Sequence, residues 1–171
     1  MSVSDDEKVV TAHLQREEAF RLNVRFQNED VPGLTVDEPP PLGGAAGPTG
    51  VQLLASAVGT CLSQSLLFCL QRSRVEVASL ETEVEAKVGR NEEGRLRILA
   101  IRARLSPVLE DGQDGEVVRR RLERCKGLFE QFCTVAESIR QGVPMDVSVE
   151  DPSPASDERG GSRPTRRLFA S

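Results

Sequence analysis

Between Thr49 and Gln71 the chain runs TGVQLLASAVGTCLSQSLLFCLQ without a single charge, and apolar residues fall on nearly every side of a helical wheel. A helix apolar all round is a buried helix. Pro48 stops the preceding loop, and the Thr49 hydroxyl offers itself to the first free amides. At about 1.5 Å per residue, Gly50 to Leu70 would span roughly 30 Å, the thickness of a bilayer core. A membrane span is set aside because Gln52, Ser56, Thr60, Ser63, Gln64 and Ser65 interrupt the run, and the flanking amphipathic strands need this helix as their core. Gln52, Ser56, Gly59 and Ser63 form a narrow small or polar stripe, expected to pack closely against another helix. Cys61 lies on the opposite side.

Around this axis the pattern switches to a period of two. Val9 to Gln15 and Phe20 to Gln27 predict a hairpin with one face buried, turning at Arg16-Glu17-Glu18. Leu34 to Asp37 predicts a short strand, followed by the proline- and glycine-rich loop DEPPPLGGAAGPTG. Beyond the helix, Leu80, Thr82, Val84, Ala86 and Val88 alternate with Glu81, Glu83, Glu85 and Lys87 in the clearest strand of the chain. A turn at Asn91-Glu92-Glu93-Gly94 returns it into Arg95 to Leu105, with Leu99, Ile101, Ala103 and Leu105 inward and arginines across from the glutamates. Pro107 and the Asp-Gly turns close the sheet segment. Helical spacing resumes from Glu116 to about Arg140, with a break at Cys133-Thr134, and Met145, Val147 and Val149 predict a last strand. The expected organisation is a flexible start over residues 1–8, one α+β domain over 9–150 and a tail of disordered composition over 151–171. In it an antiparallel sheet packs on two main helices.

Composition narrows the chemistry. The chain has 171 residues and a net charge of −5, which argues against a nucleic-acid partner held by phosphate contacts. One His and no Tyr or Trp leave little for His triads, multi-His metal sites or aromatic stacking. The acidic first residues carry no apolar leader, so the expected location is cytoplasmic, where thiols stay reduced. No metal and no cofactor are expected. The glycines before the helix lack the Gly-Lys-Ser/Thr of a phosphate loop and read as an ordinary turn. Four cysteines remain, at 61, 69, 125 and 133, without CxxC spacing. Cys69 reads as a small buried hydrophobe, and spacing alone favours four core thiols over a redox role for Cys61 and Cys133.

The run VDEPPPLGGAAGPTGVQLLASAVGTCLSQSL resembles the signature of the OsmC/Ohr family of osmotically induced and organic hydroperoxide resistance proteins. The resemblance continues in FCTVAESIRQGVPMDVSV, although Thr134 stands where many members have Pro. It implies an OsmC-like α+β fold, an intertwined homodimer, and a thiol peroxidase in which Cys61 attacks an organic hydroperoxide. Cys133 would resolve the product to a disulfide, with Cys125 as the alternative resolving thiol, and an external dithiol would reduce it. An arginine from the N-terminal hairpin would favour the Cys61 thiolate, Arg25 first and Arg16 second. The family places a carboxylate in the first helical turn to hold this arginine, where this chain has Val51 and Gln52. Gln52 accepts a hydrogen bond but carries no charge, and Glu38 is the candidate substitute. That departure opens a second reading, a redox-inactive OsmC-like dimer that binds an apolar ligand or partner.

Overall fold

The structure is a computed structural model, which describes residues 7–113 and 115–151. Elements follow as β1 (Ala12–Glu18), β2 (Arg21–Phe26), β3 (Leu34–Val36), α1 (Gly50–Arg72), β4 (Val77–Arg90), β5 (Leu96–Leu109), α2 (Glu116–Leu128), one 3-10 turn (Phe129–Phe132) and α3 (Thr134–Gln141). The fold is α+β, with every strand pair antiparallel. β1-β2-β3 form one sheet, and β4-β5 form a separate long hairpin.

α1 is long and apolar enough to cross a bilayer by length and composition, yet Val58, Leu62, Leu66 and Leu70 recur on one buried face within the protein's own core. That core continues into Val75, Cys125, Phe129, Cys133 and Ala136. The Thr49 hydroxyl accepts the Gln52 N–H, and the Gln52 side chain accepts the Thr49 N–H at 2.8 Å, a reciprocal cap on the helix start. The polar stripe of α1 meets a strand, not the helix expected from sequence. Ser63 Oγ lies 2.7 Å from Thr82 Oγ1 on β4, and a Cβ on Gly59 would come within 2.8 Å of Val84. Small residues let a β-sheet approach a helix as closely as they let a second helix approach.

The β4-β5 register carries the expected Glu83–Arg104 pair at 3.2 Å, and Glu85 faces Arg102. Pro107 does not end the strand: it pairs opposite Leu80 and β5 continues to Leu109. A bulge between Lys87 and Val88 shifts the outer half of the hairpin by one residue, which turns Ile98 inward and leaves Leu99 exposed. The N-terminal turn falls at Ala19-Phe20, three residues later than the polar run suggested, and β1 is exposed along its length. The long C-terminal helical pattern divides at Phe129–Cys133 into α2, the 3-10 turn and α3. Residues 142–151 have no strand pairing, and Met145, Val147 and Val149 are exposed. The expected disordered tail lies outside the described residues apart from Asp151, as does most of the expected flexible start.

Candidate functional site

The four cysteines sort into two pairs. Cys61 and Cys69 are eight residues apart on α1, and Cys125 and Cys133 are eight apart on the returning helical segment. Two antiparallel segments with equal spacing match each cysteine to one partner. Cys69 and Cys125 are disulfide-bonded with Cα atoms 5.7 Å apart, inside the range such a bond allows. Cys61 and Cys133 are free. Four thiols are therefore two thiols and a cross-link, and Cys125 is committed to Cys69. The sequence carried the signal in the repeated spacing, but only the antiparallel packing of α2 on α1 gives it meaning.

Cys133 is fully buried and Cys61 half-buried. Burial pushes the Cys133 thiol above the ordinary cysteine range, and a hydrogen bond with Cys61 adds to the rise. Its sulfur also caps α3, accepting the Ala136 N–H at 3.4 Å, which works in the opposite sense by favouring negative charge. Together the two side chains give one thiol reachable from outside and a second, protonated one behind it. A cavity of about 590 Å³ lies near the pair, lined by Val58 and Leu62 of α1, by Phe129 and Ala136, and by Ile101 and Leu105 of β5, although neither cysteine lines it. Arg140 at its edge is held by Glu130 and Glu137, each at 2.5 Å. Among the described residues no group of three His, Cys, Asp or Glu side chains is arranged to hold a metal ion.

The expected supporting residues make local contacts. Arg25 is exposed and reaches Gln15 at 3.4 Å, and Arg16 donates to the Ala19 carbonyl at 3.0 Å. Gln52 is taken up by the α1 cap. Glu38 is half-buried and contributes its N–H to Asp37. The buried carboxylate of this region is Asp37, which accepts the N–H groups of Glu38 and Gly44 at 2.9 Å and of Ala46 at 3.1 Å. These hold its pKa below the usual value, the Ala46 N–H most strongly; burial opposes them, and the Gly44 and Glu38 amides and the Arg21 charge add to the lowering. Arg21 of β2 lies 4.0 Å from Asp37 and 2.9 Å from Glu18, with its Nε buried and without a hydrogen-bond partner. The arginine that the hairpin turns inward is thus Arg21, on the same strand face as Arg25. Asp37 stood beside Glu38 in the loop, and only the loop's curl distinguishes them.

The family described as OsmC-like protein matches residues 43–148. The chain belongs to the OsmC-like family. Solved structures of similar fold include an OsmC-like protein of unknown function from Vibrio cholerae, 16% identical with a TM-score of 0.67 over 77% of this chain and 94% of that one. An organic hydroperoxide resistance protein from Legionella pneumophila is 12% identical with a TM-score of 0.56 over 80% and 92%. The organic hydroperoxide resistance protein OhrB of Bacillus subtilis is 17% identical with a TM-score of 0.53 over 78% and 91%. No match was found among curated proteins. The OsmC-like fold expected from sequence is the fold observed.

Proposed function

We propose that the protein is a thiol-dependent peroxidase for organic hydroperoxides, with Cys61 as the attacking thiol and Cys133 as the resolving one. The observation that carries this reading is a half-buried free thiol, Cys61, hydrogen-bonded to a fully buried one, Cys133, with an apolar cavity lined by their neighbours in the chain. The Cys61 thiolate takes the distal oxygen of the hydroperoxide, the O–O bond breaks, and the alkoxide leaves as the alcohol after taking a proton. Cys61 is then a sulfenic acid. The Cys133 sulfur attacks it, a disulfide forms, and water leaves with the Cys133 proton. An external dithiol returns both cysteines to thiols and becomes a disulfide itself. The apolar walls favour an alkyl substituent over bare hydrogen peroxide.

Within the same proposal the protein works as a homodimer in the cytoplasm. In the protomer the β1-β2-β3 sheet contacts itself far more than α1 or the β4-β5 hairpin, and Leu14, Phe20, Leu99 and Met145 are exposed. These surfaces suit a second copy of the chain. Arg25, Arg16 and Glu38 belong to the same outward-facing region, so their proposed service to Cys61 would be across that contact. Arg21, with its buried Nε, joins them as a candidate.

The redox-inactive alternative, a dimer that binds an apolar ligand, is favoured by one observation: Gln52 is neutral and its side chain is already spent on the helix cap. Intact mass and thiol counting after one equivalent of cumene hydroperoxide separate the two. The peroxidase loses two thiols, the Cys133→Ser variant stops at an oxidised Cys61, and Cys61→Ser does not react quickly. Unchanged thiols in all three proteins would overturn the peroxidase in favour of ligand binding.

A further inference from the structure

Cys125 is completely buried and is the buried residue of α2, a helix that otherwise offers Val118 and Leu122 to the core at partial burial and carries Arg119, Arg120, Arg121, Arg124 and Lys126. Its bond to Cys69 is therefore the strongest tie between α2 and α1. One end of that tie is half-buried and reachable, at Cys69, while the other is sealed, at Cys125. Ser73 Oγ lies 3.4 Å from Cys125 Sγ, and because a disulfide sulfur has no hydrogen, the hydroxyl is the donor. From Cys125 the chain runs through the end of α2 and the 3-10 turn to Cys133, a path of eight residues and about 12 Å if helical.

We propose that Cys69 and Cys125 form a reducible clamp that sets the position of Cys133 against Cys61, so that they are positioning residues for disulfide closure. The proposal rests on Cys61 and Cys133 being the working thiols. With the clamp closed, α2 cannot slide or lift on α1, and the turn that carries Cys133 is anchored one short segment away. With it open, the remaining contacts of α2 are partial, and Cys133 is free to leave the reach of the Cys61 sulfur. Opening is a two-electron exchange. One thiolate of a dithiol attacks Cys69 Sγ, the disulfide breaks, and Cys125 leaves as a thiolate that the Ser73 hydroxyl hydrogen-bonds until it gains a proton. The second thiol of the reductant then displaces Cys69, and the dithiol departs oxidised. Exchange with a low-molecular-weight disulfide runs the sequence backwards and closes the clamp.

The test compares wild type with Cys69→Ala/Cys125→Ala and with Cys69→Ser alone, a milder change that also removes the cross-link. Peptide mapping without reductant must first find Cys69 joined to Cys125 in wild type, and two free thiols there would overturn the clamp. Closure of Cys61 with Cys133 is then driven by diamide, which is reduced to its hydrazine as the disulfide forms and needs no peroxidase chemistry. The variants should close roughly tenfold more slowly or worse, since small misplacements of reacting groups cost that much or more. Equal rates overturn the proposal. With excess cumene hydroperoxide, the first oxidation of Cys61 should proceed at the wild-type rate in the variants, while dimedone capture of the sulfenic acid and the yield of sulfinic acid rise because resolution is slow. A merely structural role would slow first oxidation and closure together. If wild type reacts with diamide but not with hydroperoxide, the peroxidase reading fails, and the clamp still stands or falls by the diamide rates.

Discussion

Along α1 the protein buries Leu70, Cys125 and Cys133 completely, whereas β1 is exposed from end to end and its sheet buries Val24, Val36 and the carboxylate of Asp37. The first region is held by apolar area and a covalent bond. The second is held by amides converging on one charge, with the loop from Glu38 to Ala46 wrapped around it. Gly43 belongs to this wrap, because a Cβ there would collide with the Glu38 carbonyl and the Asp37 carboxylate. The two regions should thus respond to different insults. Truncation and reduction should damage the helical layer, and acid should damage the loop.

The largest separation is expected from the cross-link. It closes a sequence separation of 56 residues, for which chain entropy alone predicts a contribution of about 4 kcal/mol. Cys69→Ala/Cys125→Ala, or dithiol treatment of wild type, should lower the urea midpoint accordingly, and the two treatments should agree. Leu70→Ala should cost about 2–5 kcal/mol by emptying a fully buried site. Leu14→Ala on exposed β1 should leave protomer stability nearly unchanged. Similar losses at Leu70 and Leu14 would dissolve the contrast between the regions.

Asp37 sharpens the other side. Its folded pKa lies below the ordinary carboxylate value, so its contribution is present above about pH 4. It is lost as pH falls through the folded value. Asp37→Asn should lower the melting temperature by several degrees at neutral pH and flatten the acid limb of the melting curve, read by circular dichroism from neutral pH downward. An unaltered acid limb would mean that another carboxylate controls it.

Cys133 provides the opposite sign. Its pKa is raised, so folding favours the protonated thiol, a contribution present below the ordinary cysteine value and lost as pH rises through the folded one. Stability should decline on the alkaline side in wild type and less so in Cys133→Ser. The rate of disulfide closure should rise over the same range as thiolate appears, and stopped-flow thiol loss against pH would measure it. A closure rate flat from neutral pH to about pH 10 would place the nucleophile's pKa lower than burial dictates.

How much of this was legible in the residues follows the same division. Period and capping predicted α1, because a charge-free run behind Pro48-Thr49 has few alternatives, and the alternation from Val77 predicted β4 together with its Glu–Arg pairing. The Cys69–Cys125 cross-link was not legible, since a single chain of letters does not state which way α2 returns along α1. The bulge at Lys87-Val88 was hidden for a related reason: alternation in one strand does not reveal a residue inserted opposite it. Arg21 and Asp37 escaped notice because exposed-looking alternation and a polar loop are also what a solvated hairpin presents. Their burial comes from the loop folding back, a tertiary event.

The smallest expected effect concerns the one position where family expectation and local structure compete. Gln52 is the third residue of α1, and its side-chain oxygen accepts the Thr49 N–H. Gln52→Glu keeps that acceptor, because Glu serves in the same cap, and it adds a negative charge to a helix start that has no acidic residue in its first turn. Interaction with the helix dipole should therefore raise stability by about 0.3–1 kcal/mol, measurable as a small upward shift of the urea midpoint. If the carboxylate stays in the cap, the rate of Cys61 oxidation by cumene hydroperoxide should not change. If it instead turns to an arginine of the hairpin, the cap is lost, the stability gain disappears, and the Cys61 rate increases. The two readouts move in opposite directions, so one variant decides whether position 52 serves the helix or the thiol.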